Sequence, residues 1–404
     1  MDRVSRILLP SVMTSPEVRS LFAALDPSQR GEVLFVGGCV RGAVLGKYNG
    51  DMDIATTVTP EEGMSLLTAK GFKVVPTGIE HGTLTVVVAG LPFEVTTLRR
   101  DVSTDGRRAV VAYTKDWYED AARRDFTMNT LLADLEGNIY DPLGRGLADL
   151  EKRQVLFVGD PDQRIKEDYL RILRFFRFHA LYGEGAPDAE ALAACERWAS
   201  HISNLSKERV TAEFLKIVGA SNAVSVLTLM RRHNILNNLV TDRFDPSLME
   251  RGLALCLTEG GGEAELVARL FMVGGVHPPY FQNFEESLRL SNRLKSLMSS
   301  LSNAFERLEK IEEFTLKLLL YRYGREVAVQ ALRVRLAVEK EDGSDRWIKF
   351  LKSEKQPEFP VRGEDLLRAG FSSGPEMGTH LKSLETKWIE SGFRLSFSEL
   401  MNPS

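Results

Sequence analysis

The sequence predicts an α+β protein, with a small mixed sheet at the N-terminus followed by an all-helical remainder. Three observations carry this. Alternating β-branched runs are confined to the N-terminal third. A Gly37-Gly38 pair ends an apolar run there, where a buried strand must turn sharply. After Asp160 the strand signals fade and apolar residues recur at helical spacing.

Taken in order, residues 16–25 read as a helix, and 33–36 and 51–57 as strands. Pro60-Glu61-Glu62 opens a helix running to Ala69, with proline and acids in its first turn. Residues 71–75 read as a return strand. Residues 83–88 and 92–97 read as a hairpin joined through Ala89-Gly90-Leu91. The stretch 99–115 is polar, charged and poor in core residues, so it reads as a mobile loop. Helical pattern resumes over 117–132, and a short hairpin follows at 133–140, turning at Glu136-Gly137-Asn138. Further helices are expected near 162–182, 187–200, 206–218, 222–231, 248–257 and 264–272. The segment 359–393 reads as a final helical unit.

The 404 residues imply two or more domains. No window of 18 apolar residues appears, so no membrane span is expected. The first residues lack the long apolar core and small-residue cleavage site of a signal peptide. Cys39, Cys195 and Cys256 suit a reducing, cytoplasmic location and lack metal-ligand spacing. The six histidines are scattered, which argues against a histidine-built metal site. The formal charge is −4, so any nucleic-acid partner must meet a local basic surface.

The chemistry centres on Gly37, Gly38, Arg41, Asp51 and Asp53. The glycines leave room for a bulky group, and Arg41 offers a cationic fork beside it. On a strand, Asp51 and Asp53 point to one face. Two like charges there suit Mg2+ and a triphosphate better than pure structure. A solvated strand end is the alternative for the two aspartates alone; the upstream glycines and arginine tip the reading towards the nucleotide site. Glu94 reads either as a third carboxylate or as an exposed strand glutamate. On a helix, Arg124 and Met128 share a face, as do Asp125 and Asn129. Arg124 then serves either a phosphate or ribose, or a local ion pair.

From Asp168 onward, Arg171, Arg174 and Arg177 recur every three residues beside Leu170, Leu173 and Phe176. A step of about 60° per three residues keeps Asp168 to Arg174 on one side of a helix, with Arg177 lagging. Ionised Asp168 only accepts hydrogen bonds, and Arg171 only donates them. Side by side they match the edges of cytosine and adenine, which pair a donor with an acceptor. Guanine and uracil present the reverse and would leave buried groups unpaired, at about 1–3 kcal/mol each.

Four stretches in series resemble a known family: Gly37 to Gly42 with Asp51-Met52-Asp53, Arg123 to Asn129, Asp141 to Leu150, and Glu167 to Phe178. They are similar to the bacterial class II tRNA nucleotidyltransferases (CCA-adding enzymes), of the polymerase β superfamily. The resemblance runs from about Leu34 to Leu215 and includes Ser206 to Glu213. The tail, Phe359 to Leu366 and Trp388 to Phe393, also resembles one bacterial branch.

The resemblance implies a catalytic nucleotidyltransferase head (1–158), a helical neck with a base-reading helix (159–220), a helical body (221–340) and a helical, tRNA-binding tail (341–404). It implies CTP and ATP as substrates, the tRNA 3′ end as partner, and Mg2+ held by Asp51 and Asp53. Gly38 and Arg41 would line the triphosphate and Arg124 would contact phosphate or ribose. Asp168 and Arg171 would read the base, with Arg174 and Arg177 beside it. The loop 99–115 would assist the switch from C to A addition. A poly(A) polymerase relative stays open as an alternative. The family usually carries Asp where this chain has Gly42. That departure keeps a degenerate, RNA-binding descendant open as a second alternative.

Overall fold

The structure is a computed structural model. It describes all residues but 29, 49, 51, 80, 81, 106, 107, 241, 242, 256–261, 277–283, 285, 341–344 and 402–404; within 101–111, and at 345, only backbone is described. The chain forms two compact units, Met1–Leu239 and Val240–Ser404.

Among the described residues of the first unit, an eight-stranded mixed sheet runs in the order β1-β10-β9-β2-β3-β6-β5-β4. Its strands are β1 (Arg3–Arg6), β2 (Val33–Val36), β3 (Asp53–Thr56), β4 (Lys73–Gly78), β5 (Thr83–Val88), β6 (Leu91–Thr97), β9 (Leu132–Ala133) and β10 (Asn138–Tyr140). The apolar run of β2 is central and all four residues are buried. It pairs antiparallel with β3 and β9. β3 and β6 pair in parallel.

Helix α1 (Pro16–Leu25) is capped by Ser15, whose hydroxyl accepts from Val18 N at 3.3 Å. Phe22 of α1 meets Phe35 of β2 with ring centres 4.7 Å apart. Phe35 is fully buried, so truncating it to Ala would cost about 3–5 kcal/mol. Thr59 and Glu62 form the capping box that starts α3 (Pro60–Ala69). Leu34, Val36, Ala55, Leu98 and Leu132 form a further apolar cluster, with Trp117 and Tyr140 packed on it.

Three expectations need correction, and one strand carried no sequence signal: β1, the short and mostly exposed Arg3-Val4-Ser5-Arg6, forms the sheet edge by pairing antiparallel with β10. The stretch 99–115 is not a loop: β7 (Arg99–Asp105) and β8 (Arg108–Tyr113) pair antiparallel as a separate ribbon. Paired backbones can be satisfied without a buried face, so a charged composition does not preclude strands. The helix expected over 117–132 ends early, as α4 (Trp117–Ala122). Arg123 and Arg124 fold back onto Asp120, Phe126 bridges to Phe157, and Thr127–Asn129 makes one 3-10 turn. Finally, the helix expected over 162–182 is two, α6 (Pro161–Glu167) and α7 (Leu170–Tyr182). Asp168 breaks it with extended dihedrals (φ −157°, ψ 105°). Its carboxylate takes Leu170 N at 3.1 Å and Arg209 at 2.6 Å, which a helical Asp168 would forgo.

Helices α8 (Ala189–Trp198), α9 (Lys207–Val218) and α10 (Ala223–Arg232) complete the first unit. The described residues of the second unit are helical, and the longest helix among them, Glu313–Glu339, is broken at Gly324 (φ 77°). Val361, Leu366, Leu384, Trp388, Ile389 and Leu400 form a core at its C-terminal end, against which Leu318, Tyr321 and Phe393 pack. Among the described residues no helix is long and apolar enough to cross a membrane.

Candidate active site

The end of β2 forms the centre of the site. Gly37 takes φ 67°, a left-handed conformation, and α2 (Gly38–Val44) begins at the next residue. A Cβ on Gly37 would lie 3.4 Å from Arg124 Nη1 and 4.0 Å from Asp53 Oδ2. A Cβ on Gly38 would lie 3.8 Å from Arg41 Nη2 and 3.9 Å from Asp53 Oδ2. The two bare glycines therefore open a cradle bordered by Asp53, Arg41 and Arg124. These residues lie up to 87 positions apart in sequence (124 − 37).

Asp53 opens β3 and pairs with Glu94 in the parallel register, so both side chains rise from the same face of neighbouring strands. Asp53 is half-buried and Glu94 exposed. Asp51 lies outside the described residues. Among the described residues, no three His, Cys, Asp or Glu side chains cluster as a metal site.

Arg41 is buried, with 8 % of its surface exposed. It donates through Nη1 to Asn129 Oδ1 and through Nη2 to the Tyr182 hydroxyl (3.0 Å). Its guanidinium carbon lies 4.3 Å from the Tyr182 ring centre and 4.9 Å from that of Phe178. Arg41 Nε is buried with no hydrogen-bond partner.

Arg124 is fixed by Asp120, which takes its Nε at 3.2 Å and Nη2 at 2.9 Å. The same buried carboxylate takes Arg123 Nε (2.9 Å) and Nη2 (2.6 Å), and the backbone N–H of Arg99 (3.3 Å). Burial alone would raise the Asp120 pKa; Arg124 and Arg123 outweigh it and hold the carboxyl below the usual carboxylate range. Arg99 begins β7, so Asp120 ties the base of the ribbon to Arg124.

Helix α7 places the arginine series. Arg171 Nη1 donates to Glu167 (2.5 Å) and to the Arg164 carbonyl (2.8 Å). Arg174 Nε donates to buried Asp125 (2.7 Å), which also accepts from Asn129 Nδ2 (2.9 Å). Burial alone would raise the Asp125 pKa, but Arg174 and these hydrogen bonds keep it low. Arg177 pairs with Glu213 at 2.6 Å, as close charges rather than as an aligned hydrogen bond. Asp168 and Arg171, expected side by side, are engaged separately: Asp168 with Arg209 and Arg171 with Glu167.

Gly42 is buried inside α2. A Cβ there would sit 3.2 Å from the Lys47 carbonyl oxygen and from Tyr48 Cα, and Lys47 N donates to the Gly42 carbonyl at 2.8 Å. It is a close-packing glycine beneath the chain that returns towards β3.

The local ion pair read as the alternative for Arg124 is present, with Asp120, whereas sequence reasoning missed Asn129 and Tyr182 as partners of Arg41. The one available signal was the Phe178–Tyr182 spacing of four, which puts two rings on one helix face.

Comparison with known proteins places this geometry. A family model described as "Poly A polymerase head domain" matches residues 33–156. "Probable RNA and SrmB- binding site of polymerase A" matches 186–245, and "tRNA nucleotidyltransferase domain 2 putative" matches 262–394. The mitochondrial CCA tRNA nucleotidyltransferase 1 of Danio rerio is 34% identical, covering 98% of this chain and 94% of the relative. The CCA-adding enzyme of Anoxybacillus flavithermus is 30% identical over 88% of each chain. The solved structure of the Bacillus stearothermophilus CCA-adding enzyme in complex with CTP superposes with a TM-score of 0.72 at 26% identity, covering 93% of this chain and 94% of that one. Head, helical remainder and end-to-end similarity agree, and the chain belongs to the class II CCA-adding tRNA nucleotidyltransferase family.

Proposed function

We propose that this chain adds and repairs the 3′-terminal CCA of tRNA without a nucleic-acid template, using CTP and ATP and releasing pyrophosphate. The observation that carries the reading is the Gly37–Gly38 cradle bordered by Asp53, Arg41 and Arg124, in a chain similar throughout its length to enzymes named for CCA addition.

The donor chemistry around the cradle fits Mg2+. Carboxylate oxygens are hard ligands, and bare Gly37 leaves space beside Asp53 Oδ2 that a Cβ would fill. Asp51 and Asp53 would hold the ion, which when bound offsets phosphate charge and acidifies the primer hydroxyl. Glu94 is the third carboxylate on that sheet face. The primer 3′-oxygen attacks the α-phosphate and pyrophosphate leaves. Gly38 lets the triphosphate approach the backbone, Arg41 supplies charge beneath it, and Arg124 contacts phosphate or ribose. Asp168 accepts from the amino group of cytosine or adenine, and Arg171 donates to the adjacent ring nitrogen. Arg174 and Arg177, locked by Asp125 and Glu213, border the nucleotide. The head (1–158) and neck (159–220) carry this chemistry; the body (221–340) and tail (341–404) hold the tRNA.

Purified protein given a tRNA ending before CCA tests this directly. CTP alone should add two residues, and CTP with ATP should complete the terminus. Asp53→Ala should abolish both. Incorporation from ATP but never CTP would favour the second reading, an A-adding or poly(A) polymerase, which the names of two matched family models support. Incorporation untouched by Asp53→Ala would refute the catalytic assignment.

A further inference from the structure

Arg41 differs from the other arginines assigned to the nucleotide. Arg124, Arg171, Arg174 and Arg177 each pair with a carboxylate: Asp120, Glu167, Asp125 and Glu213. Arg41 pairs with no carboxylate among the described residues. Its partners are all neutral: the Asn129 amide oxygen, the Tyr182 hydroxyl, and the rings of Phe178 and Tyr182.

Burying a guanidinium without a counter-ion is costly, and Arg41 Nε lacks even a hydrogen-bond partner. Neutral acceptors and ring faces satisfy the geometry and leave the positive charge uncancelled. That charge lies beside Gly38, where a Cβ would be 3.8 Å from Nη2. An anion in the cradle would therefore meet an almost uncompensated cation in a poorly screened setting. The cage also spans elements. Arg41 comes from α2, Asn129 from the turn after α4, and Phe178 and Tyr182 from α7, which also carries Arg171 and Arg174.

We propose that Tyr182, with Phe178 and Asn129, is a positioning residue: the three form a neutral cage that aims Arg41 at the Gly38 cradle and keeps its charge available to a nucleoside triphosphate. The inference rests on the nucleotide site proposed above and adds the residues that make Arg41 effective. Tyr182 touches no reacting atom; it acts through Arg41. The triphosphate is common to both substrates, so Tyr182 affects CTP and ATP alike, and selection against UTP and GTP is unaffected.

The test is a double-mutant cycle in the full-length protein, using Tyr182→Phe, Arg41→Gln and the pair. Tyr182→Phe keeps the ring and removes only the hydroxyl that Arg41 uses. Calorimetry with Mg2+ and CTP or ATP gives Kd, and steady-state addition to tRNA gives KM and kcat. The lost hydrogen bond orients Arg41 without removing its charge, so binding of both nucleotides should weaken by about three- to tenfold, the net worth of one ordinary hydrogen bond. KM should rise in parallel, with kcat changed by less than about twofold. In the Arg41→Gln background, Tyr182→Phe should have no further effect on Kd. Phe178 also faces Arg174 and Arg177, whose guanidinium carbons lie 5.5 and 4.6 Å from its ring centre, so Tyr182→Phe is the variant that isolates Arg41. Equal effects of Tyr182→Phe with and without Arg41 overturn the inference, as does an unchanged Kd in the single variant. Wild-type protein that binds neither nucleotide overturns the functional reading and this inference together; wild-type protein that binds both while the cycle is additive overturns the inference alone.

Discussion

Replacing Asp120 by asparagine should release Arg124 from the cradle and loosen the base of the β7–β8 ribbon at once. Asp120 is buried and accepts from Arg123, Arg124 and the Arg99 backbone. Asparagine has nearly the same shape but one acceptor oxygen. Its amide nitrogen must then face a guanidinium, donor against donor. Two charge-assisted bonds are lost at the least, and two partly buried cations lose their counter-ion. Breaking a buried pair in this way costs about 3–5 kcal/mol. At about 1.4 kcal/mol per decade, that is a loss of about 10²- to 10⁴-fold in protection of the local backbone. Hydrogen exchange of peptides spanning 117–124 reads this directly, and calorimetry with CTP reads the release of Arg124. The effect is pH-dependent, with a fixed sign. Asp120 is held below the usual range when folded, so the unfolded chain, with its carboxyl near about 3.9, takes up the proton first. Its contribution is complete above that value and is lost as pH falls through the lower, folded pKa. The gap between wild type and Asp120→Asn should therefore close as pH drops below about 4. Unchanged exchange at neutral pH, or a gap that widens in acid, would refute the hub assigned to Asp120.

Two further outcomes are expected. Gly42→Asp, which introduces the residue that the resemblance implies at this position, should lower stability by about 1–3 kcal/mol because its Cβ meets backbone at 3.2 Å, and should not speed CTP addition. Faster addition with an unchanged melting temperature would show that the packing account is wrong. Arg209→Ala frees the Asp168 carboxylate that it now holds at 2.6 Å. Misincorporation of UTP and GTP should rise by about tenfold, while binding of free tripolyphosphate stays constant; unaltered base choice would count against Asp168 as the base reader.

Much of the head was legible because local signals and tertiary context agree there. The helices Pro16–Leu25 and Pro60–Ala69 and the strands Val33–Val36 and Thr83–Val88 lie where periodicity, capping and proline place them. The convergence of Gly37, Gly38, Arg41 and Asp53 was also legible, since a strand, a two-glycine turn and a neighbouring strand leave few arrangements. The failures have a common origin. The helix through Asp168 has unbroken helical periodicity and no proline or glycine; it breaks because Arg209, forty-one residues later, holds the aspartate. The helix after Trp117 ends because the backbone beyond it pairs with a distant segment, Val158 N donating to the Asp125 carbonyl and Thr127 N to the Leu156 carbonyl, both at 3.0 Å. The strands β7 and β8 carry no alternating apolar face, so only their backbone pairing defines them. Side-chain partners drawn from distant elements leave no periodic trace.

The pairing of arginines also explains how a chain of net charge −4 can present a polyanion site. Four of the five candidate arginines each have a carboxylate partner, Asp120 and Glu167 being shared with Arg123 and Arg164, so the pairing contributes direction more than net charge. Such pairs hold a planar fork at a fixed angle with little loss of side-chain entropy on binding. They attract a distant triphosphate only weakly, because the dipole of a pair falls off faster than a lone charge. The proposed function then assigns affinity for the phosphate chain to Arg41 and to ions held by Asp51 and Asp53, and selectivity for the base to the preset forks. On this division, a change that cancels the Arg41 charge weakens every nucleotide equally, whereas a change in the pairing of Asp168 or Arg171 alters which nucleotide is taken. The neutral cage around Arg41 and the acidic partners around the other arginines are thus opposite solutions to opposite requirements, availability of charge in one case and constancy of direction in the other.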